Sequence, residues 1–143
     1  MASDKLLDQV RKDLERHEGR KNKLYRCTAG KLTGGVGFNF DDNPIPEHVI
    51  DLLLDHSIKI AITDLRTIFG GQYESLPDHV RRALINMSFQ LGGVRFSKFN
   101  NTIKLIKQGE YKKAAVEVLD SKWAREDSPS RAQEVSKWLA GDV

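Results

Sequence analysis

Cysteine is almost absent. The single Cys27 in 143 residues excludes an intrachain disulfide and offers no thiolate cluster for a structural metal. The four histidines, His17, His48, His56 and His79, are scattered without HExxH or similar spacing, so neither a metal nor any other cofactor is expected. No apolar run approaches the ~20 residues needed to cross a bilayer. Residues 1–20 are heavily charged and lack the apolar core of a secretory signal. Repeats, low-complexity tracts and linkers are also missing. Charge of one sign is nearly balanced: Lys and Arg number 23 against 20 Asp and Glu, a net +3. That excess could assist approach to an anionic polymer, but it specifies no partner, and no nucleic-acid partner is expected.

The chain is 39% hydrophobic and 30% charged, an ordinary globular profile. Its length suits one domain, residues 1–143, with a core that needs no staples. The run SDKLLDQVRKDLERH places Leu6, Leu7, Val10 and Leu14 on one helical face, with Ser3 as N-cap and Gly19 as stop signal. Lys23 to Phe40 reads as short strands with turns at Ala29-Gly30 and Gly34-Gly35. Asp41-Asp42-Asn43-Pro44 is loop punctuation. The stretch from Ile45 to Phe69 has helical periodicity and is expected to form two helices joined near Asp55-His56-Ser57.

Leu76-Pro77 opens a further helix, apolar almost all round from Val80 to Leu91, which belongs at the centre of a core. Amphipathic helices follow near 98–107 and 111–122, and Ser128-Pro129 begins a last one. The expected fold class is α+β and mainly helical. A β-containing lobe of about 18–45 and a helical lobe of about 70–143 plus the N-terminal helix would flank a cleft.

Chemistry concentrates in EGRKNKLYRCTAGKLTGGVG, residues 18–37. Eight residues separate Glu18 from Cys27, and five separate Cys27 from Thr33. Glu18 ends a helix, where the dipole disfavours a carboxylate and favours the protonated acid that general acid catalysis requires. Cys27 offers a thiol that Arg26, Lys31 or Arg131 could help ionise if close. Thr33 offers a hydroxyl that donates or accepts. Taken singly, each has a blander reading: a solvated helix-end charge, a small buried hydrophobe, a strand-former. Tyr25, Phe89, Phe99 and Trp123 read as core rather than as sugar platforms.

This spacing resembles the phage-type lysozymes, or endolysins, of glycoside hydrolase family 24. Their signature is Glu, eight residues, Asp or Cys, five residues, Thr, then a glycine-rich turn; Glu18, Cys27, Thr33, Gly35 and Gly37 fit it without a gap. The resemblance continues through RRALINMSFQLGG (81–93), the segment 97–124 and SPSRAQEV (128–135). It implies a lysozyme-like fold, Glu18 as general acid, and Cys27 and Thr33 as holders of the attacking water. It further implies Arg131 as a cation approaching the acid from the last helix, and Gln90 as a polar group lining the cleft. Two departures stand out. Gly34 occupies an aliphatic position of the family, so a core contact should be lost and backbone freedom gained. Phe38 replaces a polar or basic residue, so a polar contact should be missing.

The implied activity is hydrolysis of the β-1,4 bond between N-acetylmuramic acid and N-acetylglucosamine in bacterial peptidoglycan, for host cell lysis. Inversion is the expected outcome, with water attacking the anomeric carbon; it needs paired groups about 6.5–9.5 Å apart. Alternatives are a lytic transglycosylase, a non-catalytic peptidoglycan-binding module on a lysozyme fold, or a module excised from a phage tail or toxin. The protein is expected to be a monomer held in the host cytoplasm until a phage pore-former permeabilises the membrane.

Overall fold

A computed structural model of the chain describes residues 3–142. It divides into two compact units, the first ending at Asp51 and the second beginning at Leu52. The α+β expectation holds: among the described residues there are seven α-helices and one three-stranded antiparallel sheet.

In the first unit, α1 (Asp4–Glu18) begins at Ser3, whose Oγ accepts the Leu6 N–H at 3.2 Å. It stops at Gly19, which takes a positive φ of 78° and donates its N–H to Glu15 O at 2.9 Å. Both ends are therefore capped as the local sequence dictates. Its stripe of Leu6, Leu7, Val10 and Leu14 stays between 39% and 53% exposed. The sheet follows in the order β1 (Lys21–Arg26), β2 (Leu32–Gly35), β3 (Phe38–Asn39). Tyr25 lies opposite Thr33 and Arg26 opposite Leu32, with an irregularity in the ladder between Lys21 and Tyr25. Thr33 and Gly34 then pair with Asn39 and Phe38.

Gly34 corrects one expectation. It is buried in regular strand, and a Cβ there would meet Leu24 Cδ2 at 2.7 Å and Phe40 Cε2 at 3.2 Å. The space of the missing side chain is filled by its neighbours rather than lost. Phe38 is half-buried and meets Phe40 edge-on, ring centroids 4.8 Å apart.

The unit boundary falls inside α2 (Glu47–Phe69), one continuous helix of 23 residues rather than two. Asp55, His56 and Ser57 are weak helix formers, but none removes a backbone donor or demands a positive φ, so the ladder runs through them. Ala61, Leu65 and Phe69 are buried at four-residue spacing and anchor its second half. A 3-10 turn (Gly70–Ser75) leads to α3 (Asp78–Leu91), the central helix of the second unit. Val80, Ala83, Leu84, Met87 and Leu91 of α3 are buried, whereas Phe89 is 44% exposed and is no core residue. Of the other aromatics read as core, Trp123 is buried, and Tyr25 and Phe99 are half-buried.

Around α3 pack α4 (Gly93–Phe96), α5 (Asn100–Lys107), α6 (Tyr111–Leu119) and α7 (Pro129–Ala140), with a π-turn over Trp123–Asp127. Phe96, Ile106, Val118, Val135 and Leu139 fill the core they share. The 3-10 segment, α4 and the π-turn carry no helical periodicity because each is only one or two turns long.

Candidate active site

Glu18, Cys27 and Thr33 all belong to the first unit, whereas Gln90 and Arg131 belong to the second. Glu18 is the last residue of α1. Its carboxyl lies over Gly37, where a Cβ would stand 3.0 Å from Oε2. Gly37 has a φ of 70°. Glycine is thus required there twice, by backbone conformation and by the close approach of the acid.

Cys27 opens the turn between β1 and β2. Its carbonyl accepts the Gly30 N–H at 2.8 Å, and its own N–H donates to Lys31 O at 2.9 Å. Gly30, with φ 78°, provides the left-handed residue that closes the turn. The Cys27 thiol is half-buried and held below the usual thiol range. The main causes are the backbone amides of Lys31 and then Ala29; burial opposes them. An acceptor side chain taking the N–H two residues on is the geometry of an Asx-turn. A thiolate and a carboxylate suit that place equally.

The cations proposed from sequence are not what favours the thiolate. Arg26 is engaged with Gly30 O at 3.1 Å and Asp41 at 3.3 Å, and Lys31 with Asp42 at 3.2 Å. The Lys31 ammonium and then the Asn39 amide hold the Asp42 carboxyl below the usual carboxylate range.

Thr33 is only 4% exposed and donates its hydroxyl hydrogen to Lys31 O at 2.8 Å. That hydroxyl has one hydrogen, and the short bond to the carbonyl claims it. Thr33 therefore faces the site as an acceptor. Cys27, when ionised, would join Thr33 as a second acceptor. That pairing suits a water, which has two hydrogens to give.

In the second unit, Gln90 Nε2 donates to Ser128 Oγ at 2.7 Å and its Oε1 accepts the Trp123 indole N–H at 3.0 Å. Gln90 thus joins α3 to the π-turn and to the start of α7. Arg131 donates from Nε to Asn86 Oδ1 at 2.7 Å and from Nη2 to Asn86 O at 3.2 Å. It lines an apolar pocket of about 440 Å³ with Ile58, Ile85 and Phe89. Sequence reasoning missed Asn86 and Ser128, which fix these two side chains, and Asp41, which ties the Cys27 turn. Their only signal was polarity, and the pairings join residues up to 45 positions apart. Among the described residues, no group of three or more His, Cys, Asp and Glu could hold a metal ion.

Residues 15–137 match the phage lysozyme family. Two relatives from Dictyostelium discoideum align over 91% of this chain and 92% of their own length: "Probable T4-type lysozyme 2" at 25% identity and "Probable T4-type lysozyme 1" at 22%. With the family match spanning the Glu, Cys and Thr positions and most of the helical second unit, the chain belongs to the phage lysozyme family and is a glycoside hydrolase of the lysozyme class.

Proposed function

We propose that this lysozyme cleaves the β-1,4 bond between N-acetylmuramic acid and N-acetylglucosamine in bacterial peptidoglycan, as an endolysin in host cell lysis. Glu18 protonates the leaving glycosidic oxygen. A water donates one hydrogen to the Cys27 thiolate and the other to Thr33 Oγ1, and attacks the anomeric carbon from the opposite face of the ring, inverting it. The observation that carries this reading is the commitment of the Thr33 hydrogen to Lys31 O, which leaves its oxygen an acceptor beside the turn that Cys27 opens. The lowered thiol makes Cys27 the base of the pair, and Thr33 orients the water.

Arg131 and Gln90, each fixed by two hydrogen bonds, serve as substrate-facing polar groups. The chain works as a monomer. The curated relatives come from Dictyostelium discoideum, so the lysis role rests on the endolysin resemblance and not on them. No helix among the described residues is long and apolar enough to cross a membrane. We place the protein in the host cytoplasm until a pore-former opens the inner membrane. Expression alone should leave cells intact, and added pore-former should lyse them abruptly.

Mass spectrometry of soluble muropeptides tests the activity. Reducing N-acetylmuramic acid ends are expected. Anhydro ends would assign the chain to the lytic transglycosylases, and absence of release would leave a binding module.

A further inference from the structure

The polar segment Asn39–Asn43, which runs from the end of β3 into the loop, is tied to the Cys27 turn on both of its flanks. Asp41 Oδ2 accepts the Leu32 N–H at 2.7 Å and an Arg26 Nη1 hydrogen at 3.3 Å. The same Arg26 nitrogen donates to Gly30 O at 3.1 Å. Arg26 precedes Cys27, and Gly30 and Leu32 follow it, so one carboxylate spans the turn. The segment is itself knotted. Asn39 Oδ1 accepts the N–H groups of Asp41 at 3.0 Å and Asp42 at 3.1 Å, and Asn39 Nδ2 donates to Asp42 Oδ2 at 2.9 Å. Asn39 also pairs with Thr33 in the sheet.

We propose that Asp41 is a positioning residue, whose carboxylate fixes the curvature of the Cys27–Lys31 turn and so aims the Ala29 and Lys31 N–H groups at Cys27 Sγ. This rests on the reading of Cys27 as the residue that holds the attacking water. Hydrogen bonds weaken steeply as their angle opens, so the amides serve the sulfur only while the turn keeps its shape. Arg26 is 66% exposed, and its ion pair alone contributes little. The tie that matters is the short, charge-assisted bond from the Leu32 N–H to the carboxylate. Asp41 lies outside the spaced set of Glu18, Cys27 and Thr33.

The charges around the turn make the inference testable by sign. The ionisable side chains tied to it are Arg26, Lys31, Asp41 and Asp42, paired as two cation–carboxylate couples. Removing the Asp41 charge frees Arg26, and by Coulomb attraction alone the Cys27 thiol would ionise more readily. Losing the aim of the amides does the opposite. Cys27 is the only cysteine, so its alkylation by iodoacetamide across pH reads the thiolate directly, without substrate.

D41N should raise the midpoint of that titration towards the ordinary thiol value. Alkylation at a pH below the wild-type midpoint should slow as the midpoint rises, by up to about tenfold for each pH unit. On peptidoglycan kcat should fall while KM holds. N39A, which frees Asp41 without changing any charge, should shift the midpoint the same way and carries the test should D41N not fold. A D41N midpoint that stays at the wild-type value or moves down would overturn the proposal, as would an N39A midpoint that does not move. If the wild-type protein released no muropeptides, the hydrolase reading would fail while the titrations still decided the role of Asp41.

Discussion

The Glu18 carboxyl rests on Gly37: a methyl group there would stand 3.0 Å from Oε2 and 3.3 Å from Cδ and Cγ. The last residue of α1 and the turn between β2 and β3 thus meet at the proposed acid. Glu18 is held from one side by a surface that has no side chain of its own. A flexible carboxyl needs such a floor to point at a single oxygen of the substrate.

Gly37→Ala should accordingly harm activity more than stability. The positive φ of 70° strains an alanine by about 1–2 kcal/mol, and the new methyl displaces Glu18. Lysis of permeabilised cells should fall by more than the loss of folded protein, read from the melting curve, accounts for. A folded variant of wild-type activity would show that the floor does not place the acid.

Glu18→Gln removes the proton and keeps the shape. Loss of a general acid should cost at least ~10²–10⁴-fold in rate. Glu18 is exposed at a helix end, so the melting temperature should hardly change. Near-wild-type turnover would take Glu18 out of the mechanism.

Ser88 gives a prediction that concerns the core alone. It is buried in α3, and its Oγ is the one buried side-chain polar atom without a hydrogen-bond partner among the described residues. An unpaired hydroxyl in the core is unfavourable, and alanine is the better helix former. Ser88→Ala should stabilise by about 1 kcal/mol, raising the melting temperature by roughly 3 °C. Lowered stability would reveal a partner, such as a buried water, for the Ser88 hydroxyl.

What the sequence discloses follows from how local each cause is. Ser3 and Gly19 cap α1 through contacts within four residues, so both ends are readable from the string. The buried face of α3 is readable for the same reason, because periodicity is local. Phe89 is not, since its apolar character says nothing about whether a neighbour covers it. The break expected near Asp55 fails because weak helix formers suggest a cap without imposing one. Glu18, Cys27 and Thr33 stand out only as a spaced set. The tie from the Leu32 N–H to Asp41, nine residues away, depends on how two separate turns meet, and no motif records it.

Substitution of Cys27 decides between a catalytic and a packing role, and pH supplies the sign. An ordinary thiol loses its proton near pH 8.5 and an Asp near 3.9. The Cys27 thiol is lowered, so the rise of activity with pH should come below the ordinary thiol value in the wild type. In Cys27→Asp, whose carboxylate can take the same turn amides, the rise should shift into the acid range while substantial activity remains. Cys27→Ser, far less acidic, and Cys27→Ala should both be strongly impaired.

Linkage gives an independent check. A group with a depressed folded-state value stabilises the fold fully above its unfolded value and loses that contribution as pH falls through the folded one. The melting temperature of the wild type should therefore gain on that of Cys27→Ala as pH rises towards about 8.5, and the difference should be flat in acid. A packing cysteine inverts the pattern: Ala and Ser would be mild, Asp would destabilise by burying a charge, and the melting difference would ignore pH. Lysis and melting measured against pH for the three variants separate the two roles. An active Cys27→Ala would end the catalytic one, because a methyl group accepts no hydrogen from water.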